Sequence, residues 1–344
     1  MDTLTHFALG ACIGELFLGR QIGKKAMLIG AIANSIPDVD FIAALWMSPV
    51  SNLLAHRGFT HSFLFGIIIA IILAHLFERQ QKGPGASLIQ WVLFFLVQIF
   101  SHLFLDAFNA YGIGWFEPFS HYRISWNTIF VVDPFFSIWL GAASLALLIL
   151  KRNDTNRFRW ARSGILFSSL YLLYCLVNRS VMESRVKIVF AKEQIAYGRY
   201  FISPTPLNSW LWYIVAENDS GYQIGYSSLF DKNIQFGFQY FPRNDALIQE
   251  LESHEEFQHL RRFSKGYYVI EKRKDTLVFN DLRFGQIGGW VNPRARFTFQ
   301  YFLQDPGGNK LVLQRGRFQL WNREAIKSLL RRIKGIRVSE GSLQ

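Results

Sequence analysis

Cysteine and charge are both scarce in this chain, and each scarcity excludes a class of protein. The 344 residues include only two cysteines, Cys12 and Cys175, and both lie in apolar stretches. A disulfide framework and a cysteine-based metal motif are therefore not expected. Charged residues make up 18% of the chain and hydrophobic residues 50%, so its mean hydropathy is slightly positive. A membrane half joined to a soluble half accounts for that average, and the length allows two domains.

Common catalytic signatures are also missing. The sequence contains no HExxH, P-loop, GxSxG or Rossmann glycine pattern, so peptidase, nucleotidase and serine-esterase templates have no direct support. No basic region precedes the first apolar stretch, and we do not expect a cleaved signal peptide. The formal charge is +12, but the basic residues cluster in short loops between apolar runs. Membrane topology explains such loops, so we expect no nucleic-acid partner.

Six apolar segments in the first half of the chain predict about six transmembrane or membrane-embedded helices. The segments cover roughly residues 4–19, 26–47, 62–77, 88–108, 131–150 and 163–177. The second, fourth and fifth are long enough to cross a bilayer, whereas the other three are short and can be tilted or partly inserted. The sequence thus predicts a polytopic, α-helical membrane domain at residues 1–178.

The charges of the connecting loops predict an orientation. If all six segments cross, loops 20–25, 78–87 and 151–162 share one side and carry ten Lys and Arg residues, against two in loops 48–62 and 111–130. Loops rich in Lys and Arg remain in the cytoplasm. We therefore expect a multi-pass inner-membrane protein whose N-terminus and C-terminal domain both lie outside the cytoplasm.

After about residue 179 the pattern becomes that of a soluble domain. Short aromatic, β-branched or alternating runs are separated by Gly, Asn and Asp, which is typical of strands and turns. The strand-like runs lie at residues 222–230, 234–241, 267–271 and 296–302, a turn is predicted at Asp305–Asn309, and residues 244–262 and 322–333 have helical periodicity. The sequence predicts a soluble α+β domain at residues 179–344 with an antiparallel sheet.

Seven side chains of the types that bind metals lie at the rims of apolar segments in the first third of the chain. They are His6, Asp38, Asp40, His56, His61, His102 and Asp106. Ionisable groups at membrane depth are costly, so they are kept where they pair, bind an ion or react. On the predicted topology all seven converge on the outer leaflet, which indicates one metal site.

Two short patterns contribute four of these residues. Asp38 and Asp40 follow Pro37, which loosens a helix, so that both carboxylates can reach one cation. The alternative is a helix-ending turn at the membrane surface. His56 and His61 are five residues apart across a glycine, and neutral imidazole is a preferred ligand of zinc. Together the two pairs favour metal binding over isolated structural roles.

A third pattern lies in the fourth apolar segment. His102 and Asp106 are four residues apart, which places both on one helix face about 6 Å apart at Cβ. They are either two ligands, a ligand with its orienting carboxylate, or a hydrogen-bonded pair. The case for His6 rests on topology alone. Arg57 and Arg123 are the candidates for binding a phosphate or carboxylate of a substrate.

These blocks resemble a known family. They are similar to the YdjM-type family of membrane-bound metal-dependent hydrolases, also described as LexA-binding and inner-membrane-associated. The segments that carry the resemblance are Met1…Thr5-His6, Ile36-Pro-Asp-Val-Asp40, His56-Arg-Gly-Phe-Thr-His-Ser62, His102-x3-Asp106 and Asn109-x-Tyr-Gly112. The resemblance covers about residues 1–180 and implies hydrolysis, with the seven residues as metal ligands. The His and Asp spacing is also loosely similar to that of zinc-dependent phospholipase C.

Three functions remain open from the sequence. In the first, a divalent metal, expected to be zinc, activates water against an ester or phosphoester of a membrane lipid or lipid-linked substrate, and Asp40 or Asp106 takes the proton. Seven candidates exceed the four ligands of one zinc, so either two ions bind or several residues support the ligands. In the second, a structural metal holds a non-catalytic scaffold that binds a partner. The third, transport, is disfavoured because the polar groups cluster on one side.

Overall fold

The computed structural model describes residues 1–80, 85–232, 236–303, 312–315 and 323–337. The chain divides into two compact units, the first formed by residues 1–43 and 55–176 and the second by residues 44–54 and 177–344. Helices build the first unit, and antiparallel sheets dominate the described part of the second.

The helices of the N-terminal region follow the apolar segments of the sequence. In chain order they are α1 (Thr3–Ile22), α2 (Lys24–Asn34), α3 (Pro49–Ala55), α4 (Phe63–Gln80), α5 (Leu88–Asp106), α6 (Pro134–Ile149) and α7 (Asn156–Lys192). A 3-10 segment, Ile36–Leu45, follows α2 after a 54° bend, and a second, Phe59–His61, precedes α4. The predicted domain boundary at residue 178 falls inside α7, which begins in the first unit and ends in the second.

Fewer helices than predicted meet the requirements of a membrane span. Within the described residues α4, α5 and α7 are long and apolar enough, and a fourth span results if α2 and the bent segment Pro37–Leu45 count as one. α6 is apolar but has only 16 residues. α1, which carries Glu15 and Arg20, does not meet the requirements of length and hydropathy for a span. The structure therefore shows a helical region with three or four candidate spans, and the predicted six are not confirmed.

Two of the basic loops lie together at the C-terminal end of α1. Lys24 Nζ donates to the Leu148 carbonyl oxygen at 2.6 Å, and Arg152 Nη2 donates to the Gln21 carbonyl oxygen at 3.5 Å. The 20 residues of α1 rise 1.5 Å each, so this end lies about 30 Å from the start of the helix, where His6 is found. Loops 20–25 and 151–162 thus lie at one end of the first unit.

Glycines allow α1 and α2 to pack closely. A Cβ added to Gly14 would lie 2.2 Å from the Ala26 carbonyl oxygen, and one added to Gly30 would lie 2.2 Å from the Gly10 carbonyl oxygen. Small residues let membrane helices approach until their backbones touch. This contact fixes the helix that carries His6 against the helix that leads into the Asp38 segment.

Gly14→Ala is therefore expected to destabilise the protein by about 1–3 kcal/mol, because the added methyl group meets backbone that cannot move aside. Gly141→Ala on α6 is the matched control, since nothing lies within 4 Å of its added Cβ. That control is expected to be neutral or to stabilise by up to about 1 kcal/mol through helix propensity. Thermal unfolding of both variants in one detergent checks this, and equal melting temperatures would contradict the packing argument.

The described part of the second unit contains two antiparallel sheets instead of the single sheet predicted. The first sheet has the order β1 (Arg199–Pro204), β2 (Leu211–Glu217), β3 (Gly221–Ser228), β4 (Gln239–Pro242). The second has the order β5 (Tyr268–Arg273), β6 (Thr276–Gln286), β7 (Phe297–Leu303), β8 (Val312–Arg315). Alternate residues of β2 and β3, such as Tyr213, Val215 and Ile224, pack into a shared apolar core with Val269 and Leu282 of the second sheet.

Helices accompany both sheets. A 3-10 segment, Asp245–Leu251, and α8 (Glu255–Phe263) divide the single helix predicted at residues 244–262, and α9 (Arg323–Ile333) matches the last predicted helix. The turn predicted at Asp305–Asn309 lies outside the described residues, as do residues 234 and 235 of one predicted strand, Lys82 of one basic loop and residue 322.

Candidate metal centre

Four ligand atoms from three separate elements meet in the first unit. Asp38 comes from the 3-10 segment after α2, His61 from the segment before α4, and His102 and Asp106 from the last two turns of α5; the four atoms all lie within 4.8 Å of one another. His61 Nε2 is 3.2 Å from His102 Nε2. Asp38 Oδ1 is 3.5 and 3.6 Å from these nitrogens, and Asp106 Oδ2 is 3.7 Å from each.

These separations fit a tetrahedral cation. Ligand atoms about 2.0–2.1 Å from a zinc ion are about 3.3 Å apart along each edge of the tetrahedron. Five of the edges here measure 3.2–3.7 Å. Asp106 Oδ2 is buried without a hydrogen bond from any described residue, and the positively charged Arg57 Nε lies 3.1 Å from it. Two imidazoles and two carboxylates form a ligand set that suits zinc.

The end of α2 is tied to α5, and this brings Asp38 to the group. Asn34 Nδ2 donates to the Gln98 carbonyl oxygen at 2.7 Å and to Ser101 Oγ at 2.9 Å. Pro37 provides no backbone N–H, and the chain continues at the 54° bend as a 3-10 segment. The bend therefore turns Asp38 toward the end of α5.

Asp40 faces a different set of partners. Its Oδ1 lies 2.8 Å from His56 Nδ1, and its Oδ2 accepts hydrogen bonds from the Arg57 backbone N–H and the Thr60 hydroxyl, both at 2.9 Å. Oδ2 also lies 3.2 Å from His61 Nδ1. The His56 side chain is 38% exposed and stands beside the ligand group. The Asp40 carboxylate thus contacts both ends of the loop from His56 to His61.

The second oxygen of Asp106 faces the start of α1. The Met1 amine contacts Asp106 Oδ1, and His6 Nε2 lies 3.3 Å from the same oxygen. The ring of His6 stacks on that of His102, with centroids 3.8 Å apart. His6 therefore supports two members of the ligand group from one side.

Both candidate substrate-binding arginines are buried and bonded within the unit. Arg57 Nη1 donates to Asn109 Oδ1 at 2.7 Å, and its Nε lies 3.1 Å from Asp106 Oδ2. Arg123 Nη2 donates to the His56 carbonyl oxygen at 2.8 Å. The two guanidinium groups thus hold the ends of α5 and of the His56 loop in place.

The carboxylates next to His61 favour a positive charge at its imidazole. Burial lowers the pKa of the His61 imidazole, but the adjacent carboxylates of Asp38 and Asp40 more than offset that effect, so its pKa is raised from the ordinary value. Three carboxylates, those of Asp38, Asp40 and Asp106, surround two buried imidazoles. A divalent cation would supply charge of the sign that this environment stabilises.

The structure therefore brings four of the seven predicted residues into one ligand group and places the other three, His6, Asp40 and His56, at its edge. The individual ligand roles stay predictions.

The sequence assigns no role to Asn109, although this residue stands in the Asn109-x-Tyr-Gly motif. Its side chain accepts a hydrogen bond from Arg57 just after the end of α5.

A helical unit with candidate membrane spans and a buried His and Asp group defines a membrane protein with a potential metal centre. The profile of the YdjM inner membrane protein family matches residues 1–182, more than half of the chain, and the chain belongs to this family. This confirms the resemblance seen in the sequence. The residues after 182 lie outside the match.

Two curated relatives match part of the chain. The chain is 32% identical over 200 residues to the uncharacterized protein YfhP of Bacillus subtilis strain 168, covering 54% of this chain and 56% of that protein. It is 32% identical over 136 residues to the inner membrane protein YbcI of Escherichia coli strain K12, covering 38% of this chain and 76% of that protein. The chain thus spans just over half the length of YfhP. No solved structure matches.

Proposed function

We propose that this chain is a membrane-bound, metal-dependent hydrolase in which Asp38, His61, His102 and Asp106 hold one divalent ion, with zinc as the expected metal. The observation that carries the proposal is the compact group of two nitrogens and two oxygens, with edges of 3.2–3.7 Å. When bound, such an ion supplies a water of lowered pKa and a positive charge for an acyl or phosphoryl oxygen.

The partly exposed member of the ligand group indicates the side from which a substrate would approach. Asp38 is 19% exposed, whereas His61, His102 and Asp106 are fully buried. Apolar neighbours in the same segments point outward, with exposed fractions of 44% for Val39, 68% for Phe41 and 48% for Phe59. Exposed apolar and aromatic groups are typical of the membrane interface. This favours an ester or phosphoester of a lipid or lipid-linked molecule as substrate.

The orientation in the membrane belongs to the same proposal. Six membrane-embedded helices within residues 1–178 would keep the basic loops in the cytoplasm by the positive-inside rule. The site would then face the outer leaflet, and the N-terminus and the α+β domain at residues 179–344 would lie outside the cytoplasm. The position of loops 20–25 and 151–162 at the end of α1 opposite His6 supports this arrangement.

The proposal also nominates groups for the chemistry. Asp40 and Asp106 are the proton acceptors that the sequence nominates, and Asp106 Oδ2 is also a member of the ligand group. Arg57 and Arg123 are both buried, so contact with a substrate phosphate would require one of their present hydrogen bonds to be exchanged. His56, at the exposed edge, is already within reach of solvent.

Full burial of three ligands favours a second function, a structural metal in a non-catalytic scaffold. Structural zinc sites have closed ligand sets, whereas catalytic sites keep an open position. Asp38 is the partly exposed ligand here, so the difference between the two functions depends on access at that carboxylate.

The experiment that tests the proposal is a hydrolysis screen with purified protein in nanodiscs. Zinc-loaded protein is expected to hydrolyse at least one lipid ester, lipid phosphoester or lipid-linked diphosphate. Chelation is expected to abolish that activity and added zinc to restore it. Asp38→Asn should be inactive, whereas His75→Ala is the matched control, because His75 lies outside the ligand group and contacts the Ile71 carbonyl oxygen within α4. Stoichiometric metal without turnover of any of these classes would instead support the scaffold.

A further inference from the structure

We infer that Asp40 is a positioning residue: its carboxylate orients the His61 imidazole and closes the His56–His61 loop around the ion, and it acts neither as a ligand nor as the proton acceptor. The inference rests on the proposed metal site. It assigns different tasks to the two carboxylates of the Asp38-Val-Asp40 motif, one directed at the ion and the other at the loop.

The local backbone separates the two carboxylates. A 3-10 helix advances about 120° per residue, so side chains two positions apart point about 120° away from each other. Asp38 and Asp40 lie in the 3-10 segment Ile36–Leu45. Asp38 Oδ1 accordingly faces Nε2 of His61 and His102, whereas Asp40 Oδ2 lies on the opposite side of the His61 ring, beside Nδ1.

The partners of Asp40 determine which nitrogen of His61 faces the ligand group. Nδ1 of His61 lies 3.2 Å from Asp40 Oδ2 and 3.1 Å from the Thr60 hydroxyl oxygen. Because the Thr60 hydroxyl donates to Oδ2, its oxygen and the carboxylate can both accept from a protonated Nδ1, and in that tautomer the Nε2 lone pair is directed at the group. A carboxylate behind a histidine ligand is a common way to fix its orientation and raise its basicity. Oδ2 of Asp40 accepts two hydrogen bonds from the loop and Oδ1 lies 2.8 Å from His56 Nδ1, so the loop engages both oxygens.

The loop itself depends on this carboxylate. Arg57 has a φ of 61°, a left-handed backbone conformation that costs free energy for a residue with a side chain. The hydrogen bond from the Arg57 N–H to Asp40 Oδ2 stabilises that conformation. Thr60 donates to the same oxygen, so one atom connects the strained turn to the segment that ends in His61.

Asparagine can reproduce the essential half of this arrangement. Its amide oxygen, placed where Oδ2 lies, accepts from the Arg57 N–H, the Thr60 hydroxyl and His61 Nδ1–H. Its amide nitrogen would then donate to His56, which is partly exposed and free to take the other tautomer. Asparagine would fail in either excluded role, since a neutral amide is a poor substitute for a ligand carboxylate and cannot accept a proton near neutral pH.

The test measures zinc affinity of full-length protein in detergent by competition with a chromophoric chelator, and the absorption spectrum of the cobalt-loaded protein. Asp40→Ala is expected to weaken zinc binding about 10–100-fold, the usual loss for a residue behind a ligand. Asp40→Asn should lose less than the lower end of that range. Both cobalt spectra should match that of the wild type at saturation, because the ligand set is unchanged.

Two further variants complete the design. Asp38→Asn is the ligand control, expected to weaken binding more than Asp40→Ala and to alter the cobalt spectrum. Thr60→Val, which removes one donor to Asp40, should weaken zinc binding slightly and leave the spectrum unchanged. It also provides a readout if Asp40→Ala fails to fold.

Separate results would overturn the two proposals. If the wild type binds neither zinc nor cobalt, the proposed function fails and the role of Asp40 fails with it. If the wild type binds metal but Asp40→Asn changes the cobalt spectrum, or loses as much affinity as Asp38→Asn, only the positioning role is wrong and Asp40 is a ligand.

Discussion

Replacing either His61 or His102 by alanine is expected to remove stoichiometric zinc from the purified protein. Each imidazole supplies one of the four atoms of the group, and the three that remain cannot complete a tetrahedron with protein ligands. The loss of zinc affinity should therefore exceed the roughly 10–100-fold effect of losing a residue behind a ligand. Metal analysis after dialysis, together with chelator competition, measures both quantities.

Controls for this prediction come from the other histidines. His75→Ala should retain wild-type zinc, because His75 lies outside the group. His6→Ala and His56→Ala should reduce affinity less than His61→Ala, since His6 stacks on His102 and His56 contacts Asp40. Unchanged zinc content in His61→Ala would contradict the assignment. Two equivalents of zinc in the wild type, with one lost in His6→Ala, would show that a second ion binds beside Asp106.

The sequence predicts seven gathering residues, of which the structure brings four into one group, and it does not predict that Asp38 and Asp40 face different partners. The spacing of His102 and Asp106 shows a shared face whenever the segment is helical, and α5 is helical there. The Asp38-x-Asp40 spacing predicts two carboxylates that reach one cation, which holds for an extended or kinked chain. In the structure the segment is a 3-10 helix, so the two carboxylates diverge. The partners that separate them lie 16 or more residues away, beyond any local pattern.

The fold was predictable to a similar degree. The positions of the apolar runs predict where the helices lie. The number of spans depends also on the length of each helix, as the 16 residues of α6 illustrate. The last predicted membrane segment ended at residue 177, whereas α7 continues to Lys192. Charge pairs one turn apart, such as Glu183 with Lys187 at 3.4 Å, support the helix beyond its apolar part. Strand runs indicated antiparallel pairing, but which strands pair into which sheet is a long-range property.

A buried ion pair connects α1 to α7 at the end of the helical unit opposite the start of α1. Arg157 Nε and Nη2 donate to the two carboxylate oxygens of Glu15 at 2.9 and 2.6 Å, so the pair is bidentate. Arg157 Nη1 also donates to the Leu147 carbonyl oxygen at the end of α6. A carboxylate in an apolar helix must face protein or water, and the fork geometry of arginine explains why this partner suits a buried carboxylate.

Removing one partner of this pair is expected to cost about 3–5 kcal/mol, because the other charge then stays buried without compensation. Arg157→Met should be the more damaging single change, since it also leaves the Leu147 carbonyl oxygen without its donor. Replacing both partners, as Glu15→Leu with Arg157→Met, should recover much of the loss, because two apolar side chains need no compensation. Thermal unfolding of the two single variants and the double variant in one detergent provides the complete cycle. Additive losses in the double variant would show that the two side chains act independently, and that their bidentate contact contributes little to the stability of α1 against α6 and α7.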